Sequence, residues 1–154
     1  NLGIGGDWIQ NVMWRLLNGV LDKLPVKVAV LLIGTNNLSN RFTPEEVAGG
    51  IGRLIKTIRE KAPESRILLL GILPRGPSLE ENQANRRIRE TNERLAKLAD
   101  GTRVVFLDIG DALVDPDGRI APEVMPDQLH VAMPGFVRWM DAMSPVLDRM
   151  LEGR

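Results

Sequence analysis

The chain has 154 residues, 44% hydrophobic and 26% charged, with 20 Lys+Arg balanced against 20 Asp+Glu. That length suits one domain, and zero net charge argues against a general binder of nucleic acid or anionic membranes. The absence of cysteine excludes disulfides, thiolate zinc sites and a cysteine nucleophile. A single histidine, His130, excludes multi-histidine metal sites, and the longest apolar run, Val28–Ile33, is too short to span a bilayer. A soluble globular chain is expected. Residue 1 is Asn, and the first six residues lack the charged and apolar regions of a signal peptide. The sequence is therefore expected to be a processed product or a piece of something longer.

In chain order, Leu2–Ile4 could form a short edge strand. Asp7 is placed to cap a helix running to Asn18, with Ile9, Val12, Met13, Leu16 and Leu17 on one face and Gly19 as the stop. Val26–Ile33, ending in Gly34, has the near-continuous apolar character of a strand buried on both faces. Thr43-Pro44-Glu45-Glu46 predicts a helix start with a capping box between Thr43 and Glu46. The buried face of that helix is Val47, Ile51, Leu54, Ile55 and Ile58, with Pro63 at its exit. Arg66–Leu73 is a second buried strand, closed by Pro74-Arg75-Gly76-Pro77. A polar helix is expected over Leu79–Ala99 with Ile88, Leu95 and Leu98 as its apolar stripe, then a third strand over Arg103–Ile109. Gly110–Gln128 is irregular, and Pro134–Leu151 is helical with Pro145 as an expected kink. Apolar strands alternating with helices imply a parallel sheet covered on both faces, an α/β sandwich of three layers. Ligands of such folds bind beyond the carboxyl ends of the strands. The segments to inspect are thus Gly5–Asp7, Gly34–Asn40, Pro74–Ser78 and the stretch before the last helix.

Gly3-Ile4-Gly5-Gly6 fails the dinucleotide spacing because Trp8 stands where a third glycine is needed. It is a tight turn, or a set of backbone N–H groups at a helix start that can face negative charge. Gly34-Thr35-Asn36-Asn37 is an Asn-rich turn, or a place where the Asn36 amide meets a developing oxyanion. Asp115-Pro116-Asp117-Gly118 is a β-turn rather than a calcium loop, since Pro126 occupies the position of the bidentate glutamate. In Asp127-Gln128-Leu129-His130 a carboxylate three residues before the imidazole can orient it, which is half of a hydrolytic triad; an exposed or capping histidine is the plainer alternative. Met13, Met140, Met143 and Met150 are core filling, and Arg86-Arg87-Ile88-Arg89 among glutamates is a solvated face.

In this order, Asn1-Leu-Gly-Ile-Gly-Gly-Asp7, Trp14-Arg15-Leu16, Gly34-Thr35-Asn36-Asn37, Leu73-Pro74-Arg75-Gly76, Leu107-Asp108 and Asp127-Gln-Leu-His130 resemble the SGNH (GDSL-type) hydrolases. The likeness is greatest to the branch that includes the catalytic subunits of platelet-activating-factor acetylhydrolase. The resemblance implies a flavodoxin-like three-layer α/β/α fold and a serine esterase acting on small acyl, in particular acetyl, esters of lipids or carbohydrates. It implies that Gly6 and Asn36 form the oxyanion hole and that Asp127 and His130 complete the triad. Leu129 and Met125, beside the dyad, are guessed to wall the acyl pocket. No metal and no organic cofactor are expected. The expected partner is a small-molecule ester, with a homodimer as a further possibility and no nucleic acid or membrane span.

One block of the family pattern, the Gly-Asp-Ser that carries the nucleophile, has no counterpart among these residues. The four serines, Ser39, Ser65, Ser78 and Ser144, stand in other contexts. The expectation is a single SGNH domain over residues 1–154, truncated at its N-terminus, with the first strand and the serine upstream of residue 1. This stretch alone is then expected to be inactive. The alternative is a non-catalytic binding or interaction module that keeps the fold without the nucleophile.

Overall fold

The computed structural model describes residues 1–79 and 82–152. The elements in chain order are α1 (Ile9–Leu17), β1 (Val28–Leu31), α2 (Thr35–Ser39), α3 (Pro44–Lys61), β2 (Arg66–Leu70), α4 (Gln83–Ala96), β3 (Val104–Leu107), a 3-10 turn (Gly110–Leu113) and α5 (Met133–Leu151). The three strands form one parallel sheet in the order β1-β2-β3, with Val28 opposite Arg66 and Ile67 opposite Val104.

The alternation along β2 shows why this sequence makes three layers. Ile67 and Leu69 face the cluster built from α1, α3 and α4, where Ile9, Leu16, Val47, Ile51, Leu54, Ile58 and Leu95 are buried. Leu68 and Leu70 face the opposite way, onto Met143, Trp139, Val146 and Met150 of α5. A strand buried on both faces needs apolar residues at successive positions, and β2 supplies them from Ile67 to Leu70. Burying such side chains is worth about 1.5–3 kcal/mol each relative to exposure.

The start of α3 follows the local code. Thr43 accepts from the Glu46 amide at 3.2 Å, and the Glu46 carboxylate accepts from the Thr43 amide at 2.7 Å. The five residues predicted for the buried face of α3 are all buried. Gly118 N donates to Asp115 O at 2.8 Å, which closes the predicted β-turn.

Several expectations are corrected. Leu2–Ile4 forms no strand, because no described strand lies beside it to pair with. Asp7 does not cap α1: its carboxylate is taken by the Arg15 guanidinium, two turns further on. The first amides of α1 are served instead by Asn11, which accepts from Trp8 N, and by Asn37, which accepts from Ile9 N. The strands are shorter than their apolar runs, because ladder pairing stops while burial continues: Ile72 is fully buried beyond the end of β2. The polar helix begins at Gln83, capped by Asn82, whose side chain accepts from Asn85 N at 2.9 Å. Glu80 and Glu81, within the predicted span, lie outside the described residues.

A third, small cluster sits under the irregular segment after β3, where Leu113, Ile120, Val124 and Met125 pack with Leu73 and Val131. Along β1 runs a trench of about 560 Å³, lined among others by Leu2, Ile4, Val30 and, from α5, Phe136, Trp139 and Met140. Among the described residues, no helix is long and apolar enough to cross a membrane.

Candidate active site

Because the strands are parallel, the segments after β1, β2 and β3 all emerge at one edge of the sheet. The Asn36 amide is held at that edge. Its Nδ2 donates to the carbonyl oxygen of Asp7 at 2.9 Å, which brings α2 against the residue following Gly6. An amide nitrogen carries two N–H groups, so one anchors the side chain and the second remains to donate. Gly6 sits at φ +81°, a conformation glycine adopts without strain, and the turn around it leads directly to Asp7 and the start of α1.

Asn37, the next residue, locks this arrangement from below. It is 1% exposed; its Oδ1 accepts from Ile9 N at 3.0 Å, and its Nδ2 donates to Gln10 Oε1 at 3.0 Å. The Asp7–Arg15 pair fixes the same turn from the other side. The Arg15 guanidinium, by hydrogen bonding, holds the Asp7 carboxyl below its ordinary range against the opposing effect of burial.

Asp127 and His130 are brought together as predicted by their spacing. Asp127 Oδ2 lies 2.6 Å from His130 Nδ1, while Oδ1 accepts from the backbone amides of Leu129 at 3.1 Å and His130 at 2.7 Å. Gln128, at φ +61°, takes the left-handed conformation that turns those amides back onto the carboxylate. The imidazole contact, followed by the His130 amide, draws the Asp127 pKa down to about 2. With Nδ1–H assigned as donor to this carboxylate, Nε2 is the nitrogen that can take a proton. The His130 side chain is 80% exposed and that of Asp127 55%. Leu129 is half-buried, whereas Met125 is 1% exposed within the small cluster under the loop, so its packing role is that of a core side chain.

The turn after β2 joins the two halves. Arg75 donates from its guanidinium to Ser39 Oγ on α2 at 3.1 Å, and Gly76 N donates to Gln128 O in the dyad loop at 2.9 Å. Asn85, buried in the first turn of α4, clamps this turn: its Oδ1 accepts from Arg75 N, and its Nδ2 donates to the carbonyls of Arg75 and Ser78. No role was assigned to Arg75, Asn85 or Asn37 from the sequence. An arginine inside a Pro-Arg-Gly-Pro turn directly after an apolar strand was the available signal for the first. Ser39 and Ser65 spend their hydroxyls on the local carbonyls of Thr35 and Ala62. Among the described residues, no cluster of three or more His, Asp or Glu side chains could hold a metal ion.

Residues 1–135 match the GDSL-like Lipase/Acylhydrolase family. The chain belongs to that family. Platelet-activating factor acetylhydrolase IB subunit alpha1 of Homo sapiens is 39% identical over 152 residues, which is 98% of this chain and 64% of the relative. The alpha2 subunit of Rattus norvegicus is 38% identical over 154 residues, 99% of this chain and 65% of its own. This chain thus spans just under two thirds of the length of the curated relatives it matches. A solved structure from Streptococcus pneumonia, named for platelet activating factor, superposes with a TM-score of 0.82 at 27% identity, over 96% of this chain and 71% of its own. An acetyl xylan esterase, AlAXEase, shares the fold with a TM-score of 0.76 at 21% identity, over 94% and 78%. The α/β architecture is that of the family.

Proposed function

We propose that this chain supplies the oxyanion hole and the acid–base dyad of a serine esterase that hydrolyses small acyl esters, acetyl esters of lipids or carbohydrates foremost. The observation that carries the reading is the pair of prepared groups at one sheet edge: an Asn36 amide anchored beside Gly6, and an imidazole oriented by Asp127.

In this reaction a serine hydroxyl attacks the ester carbonyl. Nε2 of His130 takes the hydroxyl proton as the new C–O bond forms, and Asp127 holds the ring and stabilises the imidazolium. The carbonyl oxygen becomes an oxyanion, met by the second N–H of Asn36 and the amide of Gly6. The imidazolium then gives its proton to the departing alcohol, leaving an acyl-serine. Water, deprotonated by the same histidine, attacks that intermediate and releases the acid. The nucleophile in this scheme is a serine upstream of Asn1. The trench beside β1, lined in part by Leu2 and Ile4, offers an apolar seat for that segment.

The test is covalent labelling of the full-length protein with a fluorophosphonate, alongside nitrophenyl acetate hydrolysis. Label on a serine preceding Asn1, with enzyme-like turnover lost when that serine becomes alanine, supports the reading. Absence of both label and turnover favours a binding module. Turnover by residues 1–154 alone at an enzymatic rate would overturn the placement of the nucleophile.

A further inference from the structure

Beside α2, on the side of Thr35 and Ser39, lies a separate cavity of about 230 Å³ that the esterase reading leaves unused. Its polar lining comes from Thr35, Ser39, Arg75, Gln83 and Arg87. Two arginines therefore line one small space. Among the described residues neither has a carboxylate partner: Arg75 donates to Ser39 Oγ, and Arg87 donates to the carbonyls of Leu38 and Phe42. The Nε of Arg75 is buried and has no hydrogen-bond partner among the described residues. Burial presses the Arg75 pKa downward, and no anion among the described residues offsets it.

A partly dehydrated cation without a counter-ion is costly to keep. The surrounding structure nonetheless holds it firmly, since Asn85 clamps the backbone of Arg75 on both its amide and its carbonyl. The first helical residues of α4, Gln83 and Ala84, also line the cavity, and no acidic side chain occupies the first turn of that helix. Its free amides add to the positive potential. A planar guanidinium fork is suited to an oxyacid group. Position ties the cavity to the reaction: Thr35 directly precedes Asn36, and Gly76, next to Arg75, holds the dyad loop through Gln128.

We propose that Arg75 and Arg87 form an anion subsite of the esterase, which receives a carboxylate, phosphate or sulfate group carried by the ester substrate a few bonds from the reacting carbonyl. This deepens the esterase reading and rests on it.

The experiment uses the full-length protein and two matched acetyl esters, 4-acetoxybenzoate, which carries a carboxylate, and its neutral methyl ester. The quantity read is the ratio of kcat/KM for the charged ester to that for the neutral one. Arg75→Gln is expected to lower that ratio tenfold or more, and Arg75→Lys to restore part of it. Gln83→Glu, an exposed position at the cavity rim, places a like charge there without touching Arg75 and is expected to lower the ratio as well. Inorganic phosphate should raise KM for the charged ester only. A purely structural Arg75 would slow both esters together, so an unchanged ratio in both Arg75→Gln and Gln83→Glu overturns the subsite. Phosphate acting equally on both esters also overturns it, marking a site for free anions instead. Failure of the esterase reading is distinct: the neutral methyl ester would then not be turned over at all.

Discussion

Asn36 and His130 belong to two regions of one sheet edge that are built in different ways. The Asn36 region is wired into the core. One amide hydrogen is committed to Asp7 O, Asn37 beneath it is 1% exposed, and the α1 turn is held by Arg15 as well. The His130 region is a loop with a small apolar cluster under it, and its imidazole is 80% exposed. The hydrogen bonds that set the dyad itself are local, all within three residues of Asp127, and a single backbone bond from Gly76 to Gln128 ties the loop to the turn after β2. The difference suits the proposed chemistry. An oxyanion donor stabilises developing charge only if its dipole is already in place, whereas a general base must exchange its proton with substrate and water. In that proposed chemistry the rigid half would set geometry and the accessible half would carry protons.

The largest expected effect comes from the accessible half. In the full-length protein, His130→Ala should lower kcat for nitrophenyl acetate by about 10⁴-fold or more, and adding Asp127→Asn should cost little beyond that, because the pair acts as one unit. Urea unfolding of the same variant should move by no more than about 0.5 kcal/mol, since an exposed side chain on a loop contributes little to packing. Asn36→Ala should lower kcat by roughly 10²–10³ with KM nearly unchanged, as the amide matters mainly when charge develops. A His130→Ala variant with near-normal kcat would remove the dyad from the reaction.

The rigid half predicts the opposite balance one residue further on. Asn37→Ala leaves the Ile9 amide and Gln10 without their buried partner, and should destabilise the protein by about 1–3 kcal/mol in urea titration. Its effect on kcat should be secondary to that loss. If Asn37→Ala unfolds no more readily than His130→Ala, the two regions do not differ in the way their packing indicates.

These two regions were also unequally visible in the sequence. Asp127 and His130 are three residues apart, so their meeting follows from a single turn of chain, just as the capping box of Thr43 and Glu46 does. The layers were legible for a similar reason: the run Ile67–Leu70 alternates between two buried faces, whatever lies on them. The Asn36–Asp7 contact joins residues 29 positions apart and was not foreseen; the family resemblance only grouped Asn36 with Gly6, the residue before Asp7. Asn37, Asn85 and Arg75 act across the fold, so their partners could not be read from neighbouring residues. Asp7 was misplaced because a capping propensity is local, whereas Arg15, eight residues on, competes for the carboxylate only once the helix forms. Met125 shows the same limit: proximity to the dyad in sequence did not indicate which way its side chain packs.

The smallest expected effect concerns the electrostatics that hold the accessible half together. The Asp127 carboxyl is held at about 2, below its ordinary 3.8, chiefly by the His130 ring and then by the His130 and Leu129 amides. The folded-state value lies below the unfolded one, so the unfolded chain binds this proton more readily. The stabilisation is therefore complete above the ordinary value and is lost as pH falls through the folded value. Comparing wild type with Asp127→Asn isolates it. The difference between their urea midpoints should be steady near pH 5 and should shrink between about pH 4 and 2.5. It should also shrink in molar salt, because an exposed pair is screened, whereas the penalty of Asn37→Ala, buried and uncharged, should persist there. A wild-type advantage that grows on acidification would mean that Asp127 is held in the folded state by groups that favour its neutral form. In that case the carboxylate could not be the fixed charge that orients His130, and the accessible half would have to owe its geometry to Gln128 and the backbone alone.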